Sequence, residues 1–208
     1  MRAGLLRTNR NFRLHFTASA VSNLGDGVSL VAFPWLATLL TRDPVLISLV
    51  VTAGRLPWFL FSLPAGVWTD RADRQKIIWR ADLLRMALTL GVIALIFSAP
   101  TLPQPPGAGP AMILLLAGLT FLLGTAEVLR DNAAQTILPA LVAAPDLESA
   151  NGQMWSAEQV MNQFAGPPLA GALIALGISL PFGLDAASFA IAAGLIAQMH
   201  LSPQVSTP

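Results

Sequence analysis

Six long apolar stretches constrain the fold of this sequence more than any other feature. A helix needs about 20 mainly apolar residues to cross the hydrocarbon core of a bilayer. Six stretches reach this length, at residues 15–40, 45–68, 77–98, 111–130, 155–177 and 180–200. None alternates polar and apolar residues as a strand does, and all are too long for the strands of a membrane barrel. The sequence therefore predicts an all-α integral membrane protein with six spans.

Composition excludes several functional classes. Charged residues make up 11% of the 208 residues, whereas soluble domains carry roughly 25%, so a soluble surface is not expected. The sequence has no cysteine, and its histidines are His15 and His200, which excludes a disulfide framework and a metal site rich in cysteine or histidine. No nucleophile or phosphate-loop pattern is present. We therefore expect neither an enzyme nor a cofactor, and no nucleic-acid partner.

The distribution of basic residues predicts the orientation in the membrane. Eight lie before the first span or around the loop between the second and third, namely Arg2, Arg7, Arg10, Arg13, Arg71, Arg74, Lys76 and Arg80. The first loop on the other side has Arg42 alone, and residues 98–110 have no Lys or Arg. Because basic residues accumulate on the cytoplasmic side, we expect both termini to be cytoplasmic and the Pro/Gly-rich segment 100–110 to be external.

A faint internal repeat suggests how the spans are related. Leu63–Trp68 in the second span resembles Pro168–Leu173 in the fifth, an offset of about 105 residues, and the first and fourth spans are offset by about 97. Similar offsets are expected when two triplets of helices are related by inversion, as within half of many secondary transporters. The sequence therefore predicts two inverted three-helix repeats.

The loop between the second and third spans carries the most specific motif. Gly66, Asp70, Arg71 and Arg74 match the spacing Gly-x-x-x-Asp-Arg-x-x-Arg-Arg/Lys, although Gln75 stands at the final basic position. This loop resembles the signature of the major facilitator superfamily. Gly66 permits close helix packing, and Asp70 can pair with an arginine or cap a helix. We interpret the motif as a gating loop; the alternative is a basic loop that only sets topology.

Further motifs extend the resemblance along nearly the whole chain. They include Asn11–Leu14, Ser22–Asp26, Phe33–Leu36, Arg55–Trp58, Ala81–Arg85, Gly124–Val128, Asp131–Gln135, Asn162–Pro168 and Leu184–Phe189. This set is similar to bacterial transporters of the enterobactin-exporter and macrolide-efflux type.

The resemblance implies twelve spans in two six-helix halves of a bacterial cytoplasmic-membrane protein. It also implies a central cavity and alternating access driven by a proton gradient, with export of drugs, macrolides or siderophores. This chain is then the N-terminal half, whose partners are the lipid bilayer, the small-molecule substrate, and a C-terminal half or a second copy. The alternative is a truncated six-helix protein that does not transport and only packs against a partner.

Ionisable residues inside the predicted spans are candidate functional residues, because charge there is costly. Asp26 and Arg55 lie near the middle of the first and second spans. They are candidates for the proton or substrate site, because a membrane-embedded carboxylate can carry a proton. The alternatives are a permanent ion pair, or an Asp26 that bonds to nearby backbone. Asp185, in the first turns of the sixth span, is interpreted as structural, since an acid suits a helix N-terminus.

A second charged group lies near the cytoplasmic ends of the third and fourth spans. Its members are Asp82, Arg85, Glu127, Arg130 and Asp131. The last three share one helix face at positions i, i+3 and i+4. The superfamily resemblance implies a charge relay from the loop to this face, for which we expect Arg74 or Arg71 to pair with Glu127 or Asp131. The alternative is that these side chains extend to the membrane interface without gating.

The fifth span contains a predicted kink. Pro167 and Pro168 have no N–H to donate and should bend the helix. Gly166 and Gly171 provide small surfaces for close packing against a neighbouring helix. The pattern resembles the Gly-Pro signature that antiporters carry in this helix. A hinge and a plain packing kink are both compatible with it.

Overall fold

All regular structure in the described part of the chain is helical. The computed structural model describes residues 4–105 and 110–200, and no strand occurs among them, which confirms the all-α prediction. Arg2 and residues 106–109 of the expected external loop lie outside the described residues.

The described chain forms nine α-helices and two short segments of other helix types. The α-helices are α1 (Leu5–Thr8), α2 (Arg10–Leu40), α3 (Pro44–Arg71), α4 (Arg74–Ser98), α5 (Ala111–Thr136), α6 (Leu138–Leu141), α7 (Leu147–Glu158), α8 (Gly166–Leu176) and α9 (Leu180–Ala197). A 3₁₀ turn at Ala144–Asp146 precedes α7, and a π-helical segment at Gln159–Ala165 joins α7 to α8. In the described residues, five helices are long and apolar enough to cross a membrane: α2, α3, α4, α5 and α9.

The predicted span at 155–177 is not among these five, because the helix there is interrupted. The chain is helical from α7 to α8, but the π-helical segment divides it into pieces of 12, 7 and 11 residues. Pro167 and Pro168 cannot bind the carbonyls of Gln163 and Phe164 as an α-helix would require. The wider π turn ends just before these prolines, in the manner of π-bulges that relieve a broken hydrogen-bond ladder.

Capping residues fix where three of the long helices begin. The side chains of Asn9, Asp43 and Asp73 accept hydrogen bonds from backbone N–H groups in the first turns of α2, α3 and α4, at 3.0, 2.8 and 3.1 Å. Each of these acceptors satisfies one N–H that the helix itself leaves without a partner. The loops before α3 and α4 are therefore short and sharply defined.

The helices pack so that two apolar clusters enclose a polar layer. The first cluster joins the C-terminal halves of α2 and α4 to the starts of α3, α5 and α9, with Phe33 and Phe182 in edge-to-face contact at 5.2 Å. The second joins the opposite ends of α2, α4, α5 and α9 around Phe12 and Ile196. The charged residues of the spans lie between these two clusters.

Close backbone contacts bring two pairs of helices together. A Cβ atom at Gly27 in α2 would overlap the carbonyl oxygen of Asn162, and one at Gly166 would lie 2.5 Å from the backbone of Gly27. A Cβ at Gly124 in α5 would overlap the carbonyl oxygen of Gly54 in α3. No side chain fits at these positions, so glycine sets the separation of α2 from α8 and of α3 from α5.

Gly166 and Gly171 should therefore respond differently to the same substitution. Gly166→Ala forces a methyl group against the backbone of α2, and we expect a loss of about 1–3 kcal/mol in the free energy of unfolding. Gly171→Ala is the matched control, because nothing lies within 4 Å of the position that its new methyl group would occupy. Thermal unfolding in detergent measures both; equal stability of the two variants would contradict the close contact.

Asp73 offers a second test at the start of α4. Although burial raises the pKa of Asp73, hydrogen bonds from the backbone N–H and the ammonium group of Lys76 hold that pKa below its ordinary value. Asp73→Ala should cost about 1 kcal/mol near neutral pH, whereas Asp73→Asn should preserve the cap. The part of the stabilisation that comes from the Lys76 ammonium requires the carboxylate. The deficit of the alanine variant should therefore shrink below about pH 4 in thermal unfolding. A deficit independent of pH would contradict this account.

Candidate functional site: a charged network beside a central cavity

A cavity of about 340 Å³ opens between the helices in the polar layer. Its wall combines charged side chains with aromatic ones; they include Asp26, Arg55, Glu127, Asp185, Phe33 and Trp58. Pockets that pair an apolar wall with a few polar groups are typical binding sites for small molecules. The predicted mid-membrane residues Asp26 and Arg55 therefore line the same space.

Arg85 on α4 is held by groups from two neighbouring helices, α2 and α9. Its guanidinium forms an ion pair and hydrogen bond with Asp26 of α2, and it donates to the hydroxyl of Ser22 at 3.3 Å. Its central carbon lies 4.0 Å from the ring centroid of Phe189 on α9. Arg85 is 2% exposed, so these contacts replace nearly all of its hydration.

A second arginine extends the network to α5. Asp82 is fully buried and lies 3.8 Å from Arg85 and 3.5 Å from Arg130, measured between charged nitrogen and oxygen atoms. Arg130 also contacts Asp131 at 3.1 Å and donates to Ser19 of α2 at 3.1 Å. The result is an alternating chain of charges, from Asp26 through Arg85, Asp82 and Arg130 to Asp131. Such a chain can exchange partners without leaving an arginine unpaired.

The structure does not contain the ion pair between Asp26 and Arg55 that the sequence left open. Asp26 binds Arg85. In the described part of the chain Arg55 forms no salt bridge with any acid, although it lies on the cavity wall. Glu127 also lines the cavity and likewise forms no salt bridge among the described residues. Arg55 and Glu127 are thus two charged side chains of the cavity wall without a salt-bridge partner among the described residues.

The loop motif lies apart from this network in the present conformation. Arg74, the first residue of α4, pairs with Asp70 at the end of α3 at 3.4 Å, rather than with Glu127 or Asp131. Arg71 is exposed, and nothing lies within 4 Å of a Cβ position built on Gly66. The expected contact between Arg74 and α5 is therefore not made in this state of the loop.

Gln75 has a contact that the sequence did not predict. Its amide group donates to the carbonyls of Ile196 and Met199 at 2.8 and 2.9 Å, at the end of α9. Gln75, which stands where the motif usually has Arg or Lys, thus joins α4 to α9. Arginine or lysine can also bind helix-terminal carbonyls, so the change of residue type does not by itself indicate this contact.

The serines of α2 were also missed, although a signal for them exists. Ser19, Ser22 and Asp26 recur at spacings of three and four residues, which places them on one helix face. In the structure this face meets Arg85 and Arg130. Polar residues repeated at helical spacing within an apolar span indicate a buried polar surface, and this criterion would have identified them.

Asp82 provides the direct test of the network. Asp82→Asn leaves two buried arginines beside a neutral group, and we expect a loss of about 3–5 kcal/mol in the free energy of unfolding. Asp131→Asn is the matched control, since the side chain of Asp131 is 27% exposed and water can replace its charge. Thermal unfolding in detergent compares them. A smaller loss for Asp82→Asn than for Asp131→Asn would contradict the central position of Asp82.

Comparisons with known proteins identify the family. The sequence profile of the family described as transmembrane secretion effector matches residues 6–206. The multidrug efflux pump Tap of Mycolicibacterium fortuitum is 31% identical over 163 residues, which cover 76% of this chain and 37% of the pump. Tap of Mycobacterium tuberculosis is 29% identical over 189 residues, covering 88% of this chain and 43% of the pump.

A third relative belongs to a siderophore system. The enterobactin exporter EntS of Shigella boydii is 30% identical over 184 residues, which cover 88% of this chain and 42% of the exporter. No solved structure matches the chain. The chain spans less than half the length of these curated relatives, within their N-terminal halves, and the relatives are transporters rather than enzymes. The chain is therefore a multi-pass membrane protein that belongs to the transmembrane secretion effector family of the major facilitator superfamily.

Proposed function

We propose that this chain forms the N-terminal six-helix half of a proton-coupled exporter of small hydrophobic compounds. The observation that carries the proposal is the cavity, whose apolar wall at Phe33 and Trp58 adjoins the buried charged network. Relatives named as a multidrug efflux pump and an enterobactin exporter favour drugs or siderophores as the substrate class. An energy source is needed for export against a gradient, and the acids beside the cavity offer sites for a coupling proton.

The packing of the helices supports the inverted-repeat arrangement. If the α7–α8 segment is counted as the fifth of six spans, inversion exchanges the first with the fourth, the second with the fifth, and the third with the sixth. This exchange converts the contact between α3 and α5 into the contact between α8 and α2. It converts the contact between α2 and α9 into the contact between α5 and α4. The structure contains all four contacts. The close contacts at Gly27 and Gly124, each against a backbone carbonyl oxygen of the neighbouring helix, also correspond.

The surfaces of the bundle support a place in the bacterial cytoplasmic membrane with both termini in the cytoplasm. The basic residues concentrate at the ends that carry the loop motif and the start of α2. On α3, Phe59 and Leu63 are 93% and 85% exposed, as expected of a face that contacts lipid or the second half of the transporter. A C-terminal six-helix half, or a second copy of this chain, would complete the cavity.

The loop motif is the proposed gate on the cytoplasmic side. In this conformation Arg74 is held by Asp70. Switching would transfer Arg74 to an acid at the end of α5, Glu127 or Asp131, and so connect the loop to the bundle. The charged residues of the network are then relay candidates, because an arginine that changes partners can separate two helix packings of similar energy. We propose that the hinge of the fifth segment consists of Gly166, Pro167, Pro168 and Gly171; a plain packing kink is the alternative.

The gating proposal predicts a specific loss of transport. Asp70→Ala and Arg74→Ala should each lower dye efflux about tenfold in vesicles that contain the full-length natural protein, under an imposed pH gradient. Arg80→Ala is the matched control, because it removes a positive charge from the same side of the membrane but lies outside the motif. Insertion should be unaffected in all three, since most of the positive-inside bias remains.

The outcomes separate the competing interpretations. Full efflux by Asp70→Ala would overturn the gating function of the loop. Absence of efflux by the wild-type protein under any pH gradient would instead favour the alternative, a membrane protein that only packs against a partner. A response of efflux to membrane potential without a response to pH would argue against proton coupling.

A further inference from the structure

Among the described residues, Asp185 on α9 is a buried acid without a cation of its own. It is 1% exposed, and its Oδ2 accepts a hydrogen bond from the hydroxyl of Thr89 at 3.3 Å. Its Oδ1 has no hydrogen-bond partner, and no Lys or Arg of the described chain lies within salt-bridge distance. Asp185 lines the central cavity. The contacts of Asp185 are therefore too few to offset the cost of burying an ionised carboxylate. Its position near the start of a helix does not by itself account for this residue.

The helices around Asp185 hold it in place and limit its partners. From α2, Gly25 approaches so closely that a Cβ there would lie 2.6 Å from Oδ1, and Asp26 and the neutral hydroxyl of Ser29 follow on the same helix. From α4, Thr89 and Arg85 face it. Arg85 is the one cation among these groups, and it is already bound by Asp26 and Ser22.

One arginine thus stands between two acids of the spans, Asp26 and Asp185. An ionised carboxylate in a buried site with only neutral donors is strongly disfavoured, and the group takes up a proton instead. We propose that Asp185 is a proton-binding site of this protein, which holds its proton while Arg85 is paired with Asp26. The unpartnered Oδ1 carries the proton.

Release of this proton would change the network. The O–H bond of Asp185 breaks, the proton passes to water in the cavity, and the carboxylate that remains competes with Asp26 for Arg85. The ion pair between Asp26 of α2 and Arg85 of α4 is weakened, and α9 is drawn towards α4. This inference rests on the proposed function, for which it names the proton site and the packing contact that the proton controls.

Infrared difference spectroscopy tests the proton directly. The full-length natural protein in lipid vesicles is taken from low to high pH, and the carbonyl band of protonated carboxyl groups is followed. We expect Asp185→Asn to lose one band that titrates in the wild type. Asp43→Asn, which changes an exposed helix cap, should retain it. Retention of the complete set of bands by Asp185→Asn would overturn the proposal.

Two further variants keep the test decisive if Asp185→Asn fails to fold. Thr89→Val removes the donor to Oδ2, so the band should persist and move to higher frequency. Asp26→Asn releases Arg85 to pair with Asp185, so the band should be absent at a pH where the wild type retains it. An unshifted band in Thr89→Val, or a wild-type band in Asp26→Asn, would each contradict the assignment.

Transport assays separate this inference from the proposed function. If Asp185 carries the coupling proton, efflux by Asp185→Asn should lose its response to an imposed pH gradient. If the wild-type protein shows no efflux but the infrared band depends on Asp185, the proposed function fails and the proton site stands. If efflux responds to pH equally in the wild type and in Asp185→Asn, and the infrared bands do not depend on Asp185, the proton site is overturned and the proposed function stands.

Discussion

The structure depends on the burial of Arg85 within an apolar bundle. A guanidinium in this environment is tolerated only where acids and hydroxyl groups replace its water. Arg85 takes these groups from α2 and from its own helix, and the ring of Phe189 on α9 covers one face. Because each contact requires a particular rotation of a helix, the charge fixes how α2, α4 and α9 are oriented towards one another.

Close helix contacts are the second requirement, since ion pairs between spans form only where backbones approach. Gly25 provides this approach beside Asp185, and Gly27 provides it beside the π-helical segment. Helices in a membrane gain little from hydrophobic association, so small residues and polar contacts carry much of the packing specificity.

The network is an alternating row of charges that spans α2, α4 and α5. Three acids and two arginines alternate from Asp26 to Asp131. Under the proposed function, the loss or gain of one proton nearby would redistribute the partners along this row. Such exchange needs little movement at any single residue but alters which helices are held together. A bundle with two pairings of similar energy is the kind of element that a proton or a substrate can shift.

The sequence by itself determined the membrane class, the helical fold, the family and the identities of the charged residues. The membrane class and the helical fold follow from run length and composition, which are properties of the chain before it folds. The family follows from the resemblance of its motifs to known transporters. It did not determine that Asp26 binds Arg85 instead of pairing with Arg55, that Gln75 joins α4 to α9, or that the fifth segment contains a π-helical turn. Those outcomes depend on the rotation and separation of helices that are distant in sequence, and only tertiary packing sets this rotation and separation. Several acids lie at similar depth, and local periodicity does not specify which arginine each acid meets.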